Sequence, residues 1–284
     1  MNLYGKVIDT FPKQRVVKLE GVKRIFYLYM SRKLFRDFGP YFVNKPYIFV
    51  TASGDKKKYG NFYCQEVLHF NKIVLSDHRE KKVYYNIDTI KKSIKSLLSK
   101  MKSKLFLDLE FSLPPYFNTM AHVPEIVQYG MVLEDENGNL LFEDGSLVMP
   151  KKKYSLNPRT LKFLSKTRED FQHACSYEDF YRLLKRFIEE EDVKIIAWGR
   201  NDILTIEQSF ELNGLKPLDI RSRYINLMQV IKNYYNSKTD LGLFSTYQEL
   251  SGTEYEVQRH DALEDALIAR EIFRIFKALV LKEN

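Results

Sequence analysis

Between residues 104 and 111 the sequence reads Lys-Leu-Phe-Leu-Asp-Leu-Glu-Phe, which puts apolar side chains on both faces of a strand. Such a strand belongs at the centre of a sheet covered on both sides, so the chain beyond it has to supply helices. The pattern downstream meets that demand. Ile126 to Leu133 and Leu140 to Val148 read as strands flanking Glu136-Asn-Gly-Asn139, whose Asn137-Gly138 step predicts a hairpin turn. A helix opened by Ser176 is expected over 176–191, then the strand Lys194-Ile-Ile-Ala-Trp198, then a helix over 201–213 stopped by Gly214. The last helix, over 261–280, turns Ala262, Ala266, Ala269, Phe273 and Phe276 to its inner face. The expected class is α/β, a mixed sheet covered by helices.

The first third of the chain has a different texture. Apolar clusters rich in Val, Ile, Phe and Tyr (Gly5 to Ile8, Val16 to Leu19, Ile25 to Met30, Tyr47 to Thr51 and Phe62 to Leu75) alternate with charged or Gly-containing turns and read as short strands. One short helix, opened by Ser31 and stopped at Gly39-Pro40, interrupts them. Five strands and one helix suit a small barrel of the OB type. Tyr27, Tyr29, Tyr47, Phe49, Phe62 and Tyr63 alternate along these strands as core or sheet-face residues, some of them available for base stacking. The segment 87–101 then places Ile87, Ile90, Ile94, Leu97, Leu98 and Met101 on one face and lysines on the other, as a connecting helix would. This divides the chain into a basic β-rich domain at 1–80, a connecting helix within 81–103 and an α/β domain at 104–284.

Charge follows the same division. The formal net charge is +8, yet residues 1–104 hold 23 Lys/Arg against 8 Asp/Glu, a net of +15, while residues 105–284 hold 22 against 29, a net of −7. A lysine-rich codon bias would mark both parts alike. A basic module beside an acidic one points to a polyanion held by the first, with nucleic acid as the expected partner. Composition removes other classes: 44% hydrophobic and 29% charged residues with 12 Gly and 9 Pro exclude a disordered or collagenous chain. Cys64 and Cys175 form no CxxC pair, which leaves no disulfide framework or cysteine zinc site and fits a reducing compartment. With no apolar run long enough for a membrane span and no signal-peptide core, the expectation is a soluble, cytoplasmic protein.

Asp108 and Glu110 leave the same face of the central strand about 7 Å apart. Two carboxylates on a buried strand are costly to desolvate unless a cation lies between them. Asp202 follows the strand 194–198 at a strand-to-helix junction, where it serves either an active site or a helix cap. His260 and Asp265 lie at the start of the last helix, where Asp261 and Glu264 suit the positive end of the helix dipole. Taken singly, each has an ordinary structural explanation.

Together they form a pattern. DxE, then Asp202 after Ala-Trp-Gly-Arg-Asn, then His260-Asp-Ala-Leu-Glu-Asp265-Ala opening the last helix resembles the DEDDh family of 3′ to 5′ exonucleases, over about 104–280. Glu125-Ile-Val-Gln-Tyr-Gly130 looks like the family's second strand, and the Trp-Gly-x-x-Asp form of the middle motif is closer to the Eri-type exoribonucleases. The resemblance implies an RNase H-like fold and carboxylates Asp108, Glu110, Asp202 and Asp265 holding two divalent cations, Mg²⁺ or Mn²⁺. It makes His260 the general base and single-stranded nucleic acid 3′ ends the substrate, RNA favoured over DNA, with nucleoside 5′-monophosphates released. Paired hard cations suit phosphodiester hydrolysis because they offset charge on both the attacking and the leaving oxygen. Two other readings stay open: a DNA-directed enzyme of proofreading or repair, and an inactive binding protein on the same fold. Residues 1–103 lie outside the resemblance.

Overall fold

The computed structural model describes residues 1–76, 81–116, 122–237, 239–253 and 260–282. They divide into two compact units, Met1–Ser93 and Ile94–Asn284.

In the first unit, strands β1 (Asn2–Phe11), β2 (Val16–Glu20) and β3 (Ile25–Tyr29) form an antiparallel meander, followed by helix α1 (Arg32–Phe38) and a 3-10 turn at Gly39–Asn44. The long hairpin of β4 (Tyr47–Tyr59) and β5 (Phe62–Ser76) returns to pair with β1 through β4. A short parallel contact, Leu28↔Gln65 and Tyr29↔Glu66, joins β3 to β5 and closes β1 to β5 into a barrel. The strands alternate as half-buried strands should, with Leu3, Val7, Leu19, Leu28, Ile48, Val50 and Val67 turned inward. Helix α1 starts where Ser31 accepts a hydrogen bond from the Leu34 N–H at 3.3 Å, and it drives Leu34 and Phe38 into the core against Phe70.

One strand of this unit was not foreseen. Lys81–Asn86 forms β6 against the end of β5, and the amphipathic helix α2 (Ile87–Lys100) follows it from Ile87, where the periodicity placed it. Tyr85 explains the capture: its ring meets Phe38 edge-on at 5.4 Å. The division between the two units falls inside α2.

In the second unit the sheet runs β10 (Cys175–Ser176), β9 (Leu140–Met149), β8 (Ile126–Glu134), β7 (Lys104–Phe111), β11 (Lys194–Ala197), β12 (Tyr224–Asn226). Strands β7, β8 and β9 are antiparallel, while β11 runs parallel to β7 and β12 parallel to β11. The helices are α3 (Pro158–Leu164), α4 (Tyr177–Glu189), α5 (Asn201–Asn213), α6 (Leu227–Tyr235), α7 (Leu243–Ser251) and α8 (Ala262–Lys282). Ser176 and Asp179 form a reciprocal capping box at the start of α4, and Gly214 ends α5 in the left-handed region at φ 68°.

Alternation along β7 assigns its faces. Leu105, Leu107 and Leu109 share a core with Phe180, Leu184 and Phe187 of α4 and Ile203, Ile206 and Phe210 of α5. The opposite face carries Phe106, Asp108 and Glu110, and Phe106 meets Phe273 of α8 edge-on at 5.5 Å. Both DxE carboxylates therefore point to the α8 side of the sheet.

Candidate active site

Two glycines bring α8 onto the sheet. Gly130 on β8 stands opposite Asp108 in register, and a Cβ there would lie 2.1 Å from the Ala262 carbonyl oxygen. Gly145, its partner on β9, would clash with Leu263 Cβ at 2.7 Å. The first turn of α8 lies in the groove that these absent side chains leave, immediately beside Asp108. Asp261 caps the helix, its Oδ1 accepting from the Leu263 and Glu264 amides, and its Oδ2 takes a 2.8 Å hydrogen bond from Gln128 of β8. Two turns on, Arg270 donates to the buried Glu134 of β8 at 2.8 Å and holds the helix along the strand.

This docking sets the site. One carboxylate oxygen each from Asp108, Glu110 and Asp265 lie within 4.8 Å of one another. Glu110 and Asp265 are buried, and among the described residues Asp265 Oδ1 has no hydrogen-bond partner. Asp202, in the first turn of α5, is buried as well but stands outside that trio, next to Asp108 and Glu110 by its electrostatic influence on both. The structure thus brings three of the four expected carboxylates to one point and sets the fourth at its flank.

Four acids held this close resist ionising. Burial and then the charges of Asp202, Asp265 and Glu110 push the Asp108 carboxyl well above the ordinary range. Burial followed by Asp265 and Asp202 raises Glu110 to about 8. Asp265 rises to about 7 through burial and the charges of Glu264 and Asp261. Burial also raises Asp202 to about 7, against the pull of the Leu109 amide and the Tyr224 hydroxyl. Oxygen-only donors and a buried acceptor without a partner suit a hard divalent cation, which would relieve the repulsion that raises these groups.

His260 directly precedes the capping Asp261 and lies in the left-handed region, at φ 49°. Its Nδ1 lies 4.0 Å from Glu110 Oε1, and its ring meets Phe163 of α3 at 4.4 Å. The position of α3 is itself determined. Buried Glu125, at the start of the Glu125–Gly130 stretch, accepts from the Lys151 and Lys152 amides and from Ser155 Oγ, steering the chain toward α3. Asn157 and Thr160 then bond the backbone of Leu113 just beyond β7. Phe163 is consequently fixed beside the imidazole.

Reasoning from sequence missed Phe163, Gln128 and Tyr224. The Tyr224 hydroxyl donates to the Gly199 carbonyl at 3.0 Å and lies near the Asp202 carboxylate, whose acidity it favours. Its strand has only three residues, too short for a periodic signal.

No family profile matches the chain. A search of curated proteins found no match. Among solved structures, the chain is similar to the nuclease domain of 3′hExo, a DEDDh family member bound to rAMP, with TM-score 0.55 and 17% identity over 64% of this chain and 96% of that one. It is also similar to cell-death related nuclease 4 (CRN-4), with TM-score 0.53 and 18% identity over 63% of this chain and 64% of that one. The structure of E. coli Exonuclease I in complex with a dA16 oligonucleotide matches with TM-score 0.50 and 15% identity, over 64% of this chain and 42% of that one. Over nearly two thirds of its length, this chain has the fold of the DEDDh exonucleases.

Proposed function

We propose that the protein is a divalent-metal-dependent 3′ to 5′ exonuclease that hydrolyses single-stranded nucleic acid, RNA in preference to DNA, and releases nucleoside 5′-monophosphates. One observation carries this reading: three carboxylates from β7 and α8 meet within 4.8 Å, with a buried oxygen of Asp265 that has no hydrogen-bond partner among the described residues and an imidazole at their edge. Asp108, Glu110 and Asp265 would hold cations, with Asp202 completing the set from the flank. A pair of Mg²⁺ or Mn²⁺ ions bound there would stabilise negative charge on the attacking and leaving oxygens of the scissile phosphate.

The chain's own residues do the rest. His260 takes the proton of the attacking water at Nε2, the ring nitrogen remote from Glu110, a step worth about 10²–10⁴ in rate. Phe163 holds the imidazole plane, and the Tyr224 hydroxyl orients Asp202. The preference for RNA is supported by the Trp198-Gly-x-x-Asp202 form of the middle motif and by the rAMP-bound structure among those similar to this chain. In this reading residues 104–284 are the catalytic domain. The first unit is an OB-type barrel, supported by a helix between the third and fourth strands and by closure through β3 and β5.

The test is degradation of matched RNA and DNA oligonucleotides labelled at either end, with Mg²⁺, Mn²⁺ or EDTA. Stepwise shortening of 5′-labelled RNA with the metals, and none with EDTA, is expected. Intact oligonucleotides under every metal condition would leave only the inactive binding protein. Faster loss of the DNA strand would overturn the RNA preference.

A further inference from the structure

Five aromatic rings gather on one face of the first unit's barrel, outside its core. Phe11, Tyr27, Tyr29, Tyr59 and Phe62 are all half-buried and all absent from the cluster that fills the barrel interior. They gather in two groups. Phe62 meets Tyr27 at 5.3 Å and 28° and Phe11 at 4.5 Å, while Tyr29 and Tyr59 lie almost parallel at 5°. The registers Lys18↔Tyr27, Tyr59↔Phe62 and Lys57↔Cys64, with the parallel contact of β3 and β5, place them together on the outer surface of β2, β3, β5 and β4. The rings cover Val16 and Cys64, which are fully buried on this face, and keep their outer edges half-exposed.

Cations are interleaved with the rings. The Arg15 guanidinium lies 5.4 Å from the Tyr29 centroid and donates to its hydroxyl at 2.9 Å, and Lys18 Nζ lies 6.0 Å from the Tyr27 centroid. Exposed Lys57 neighbours Cys64 on the same surface. Glu66 shares it, accepting from the Tyr59 hydroxyl at 3.4 Å. The turn that bears Arg15 and the turn between β4 and β5 meet at one edge: a Cβ on Gly60 would lie 3.3 Å from Gln14 Cγ. Residues 1–93 as a whole hold 19 Lys/Arg against 8 Asp/Glu, a net of +11.

Apolar rings alone would fit a protein partner as well. Rings alternating with Arg and Lys, on a strongly basic unit, match a ligand that presents flat π-faces and regularly spaced negative charge. We infer that the outer surface of β2, β3, β5 and β4 binds single-stranded nucleic acid, with bases stacked on the Tyr27–Phe62 and Tyr29–Tyr59 pairs and phosphates at Arg15, Lys18 and Lys57. Resting on the proposed function, this names the barrel as the second grip on the same substrate, independent of the carboxylate site. Stacking tolerates any base, so affinity should depend on strand length and salt and little on sequence.

The experiment measures anisotropy of 5′-labelled U15 and dT15 on the full chain in EDTA, where no turnover occurs, over a range of salt. The double variant Tyr27→Ala/Phe62→Ala is expected to bind at least about tenfold more weakly, within the range for losing base stacking. Lys18→Glu/Lys57→Glu leaves the rings intact and guards against misfolding; it should weaken binding and flatten the salt slope. Metal-dependent hydrolysis of a dinucleotide should be unchanged in both variants. Wild-type affinity and salt slope in both would overturn the inference, and so would a surface that serves a protein partner, because oligonucleotide affinity would then not change. Ring-dependent binding together with no hydrolysis of any oligonucleotide would keep this surface and remove the exonuclease reading.

Discussion

In the first unit the charged side chains lie outside a closed barrel, where water screens them and no two need a common partner. In the second, carboxylates from β7, α5 and α8 are drawn into one buried region and raised toward neutrality, first by burial and, for Asp108 and Glu110, also by the charges of the other acids. Residues 1–93 carry a net of +11; residues 94–284, with 26 Lys/Arg against 29 Asp/Glu, carry only −3. Net charge thus reveals the character of the first unit and nearly hides that of the second. The chemistry of the second depends on where a few charges converge, and that of the first on how many are spread over a surface.

The contrast breaks most sharply at the carboxylates. Asp108→Asn or Asp265→Asn should abolish hydrolysis and at the same time raise the melting temperature of the metal-free protein, because each relieves a buried repulsion. Loss of activity with a lower melting temperature would mean that the cluster stabilises the fold. His260→Ala should lower kcat by about 10²–10⁴ while calorimetric Mn²⁺ binding is retained. A variant as fast as wild type would remove the histidine from the chemistry.

Gly130→Ala tests the docking of α8. With a Cβ 2.1 Å from the Ala262 carbonyl, the helix start must move, and denaturant unfolding should show a loss of about 3 kcal/mol, the upper part of the overpacking range. Activity should fall with it. Neutral behaviour would show that the approach of α8 to β8 is looser than the geometry requires.

The raised carboxyls have a pH signature. Glu110 titrates at about 8 in the fold against 4.5 in the free side chain, and Asp202 and Asp265 at about 7 against 3.8. The folded, metal-free protein therefore keeps protons that the unfolded chain releases. The stability linked to them is fully present below about pH 4 and is lost as the pH rises through 7 to 8. Thermal melts in EDTA should fall by a few degrees across that window, and Mn²⁺ should raise the melting temperature most at its upper end. A flat profile would show that the acids are farther apart in solution. The smallest effect belongs to the barrel: Lys57→Ala should reduce the salt slope of oligonucleotide binding by about one and leave its length dependence unchanged.

Much of the second unit was legible in the sequence because its signals are local. Ser176 caps α4, Gly214 ends α5, Asn137-Gly138 turns the hairpin, and Asp108 and Glu110 share a face, all through interactions within a few residues. Strand β6 was not legible because half of Lys81–Asn86 is Lys or Asn, and its docking is marked by the contact of Tyr85 with Phe38, far away in the chain. Phe163 and Tyr224 were invisible as site residues for the same kind of reason. Nothing near them in the chain tells which imidazole or carboxylate they will meet.

By itself, the amino-acid order determined the split between a basic β-rich part and an α/β part, the faces of the strands, the helix caps and the set of acids and imidazole available for chemistry. Only the tertiary structure decided that Asp265 comes within reach of Asp108 and Glu110 while Asp202 stands to one side, and that β3 closes onto β5. Periodicity and capping act over a few residues, whereas these contacts join positions far apart in the chain. They form where side chains are missing or complementary across elements, as at Gly130 and Gly145 beneath the first turn of α8.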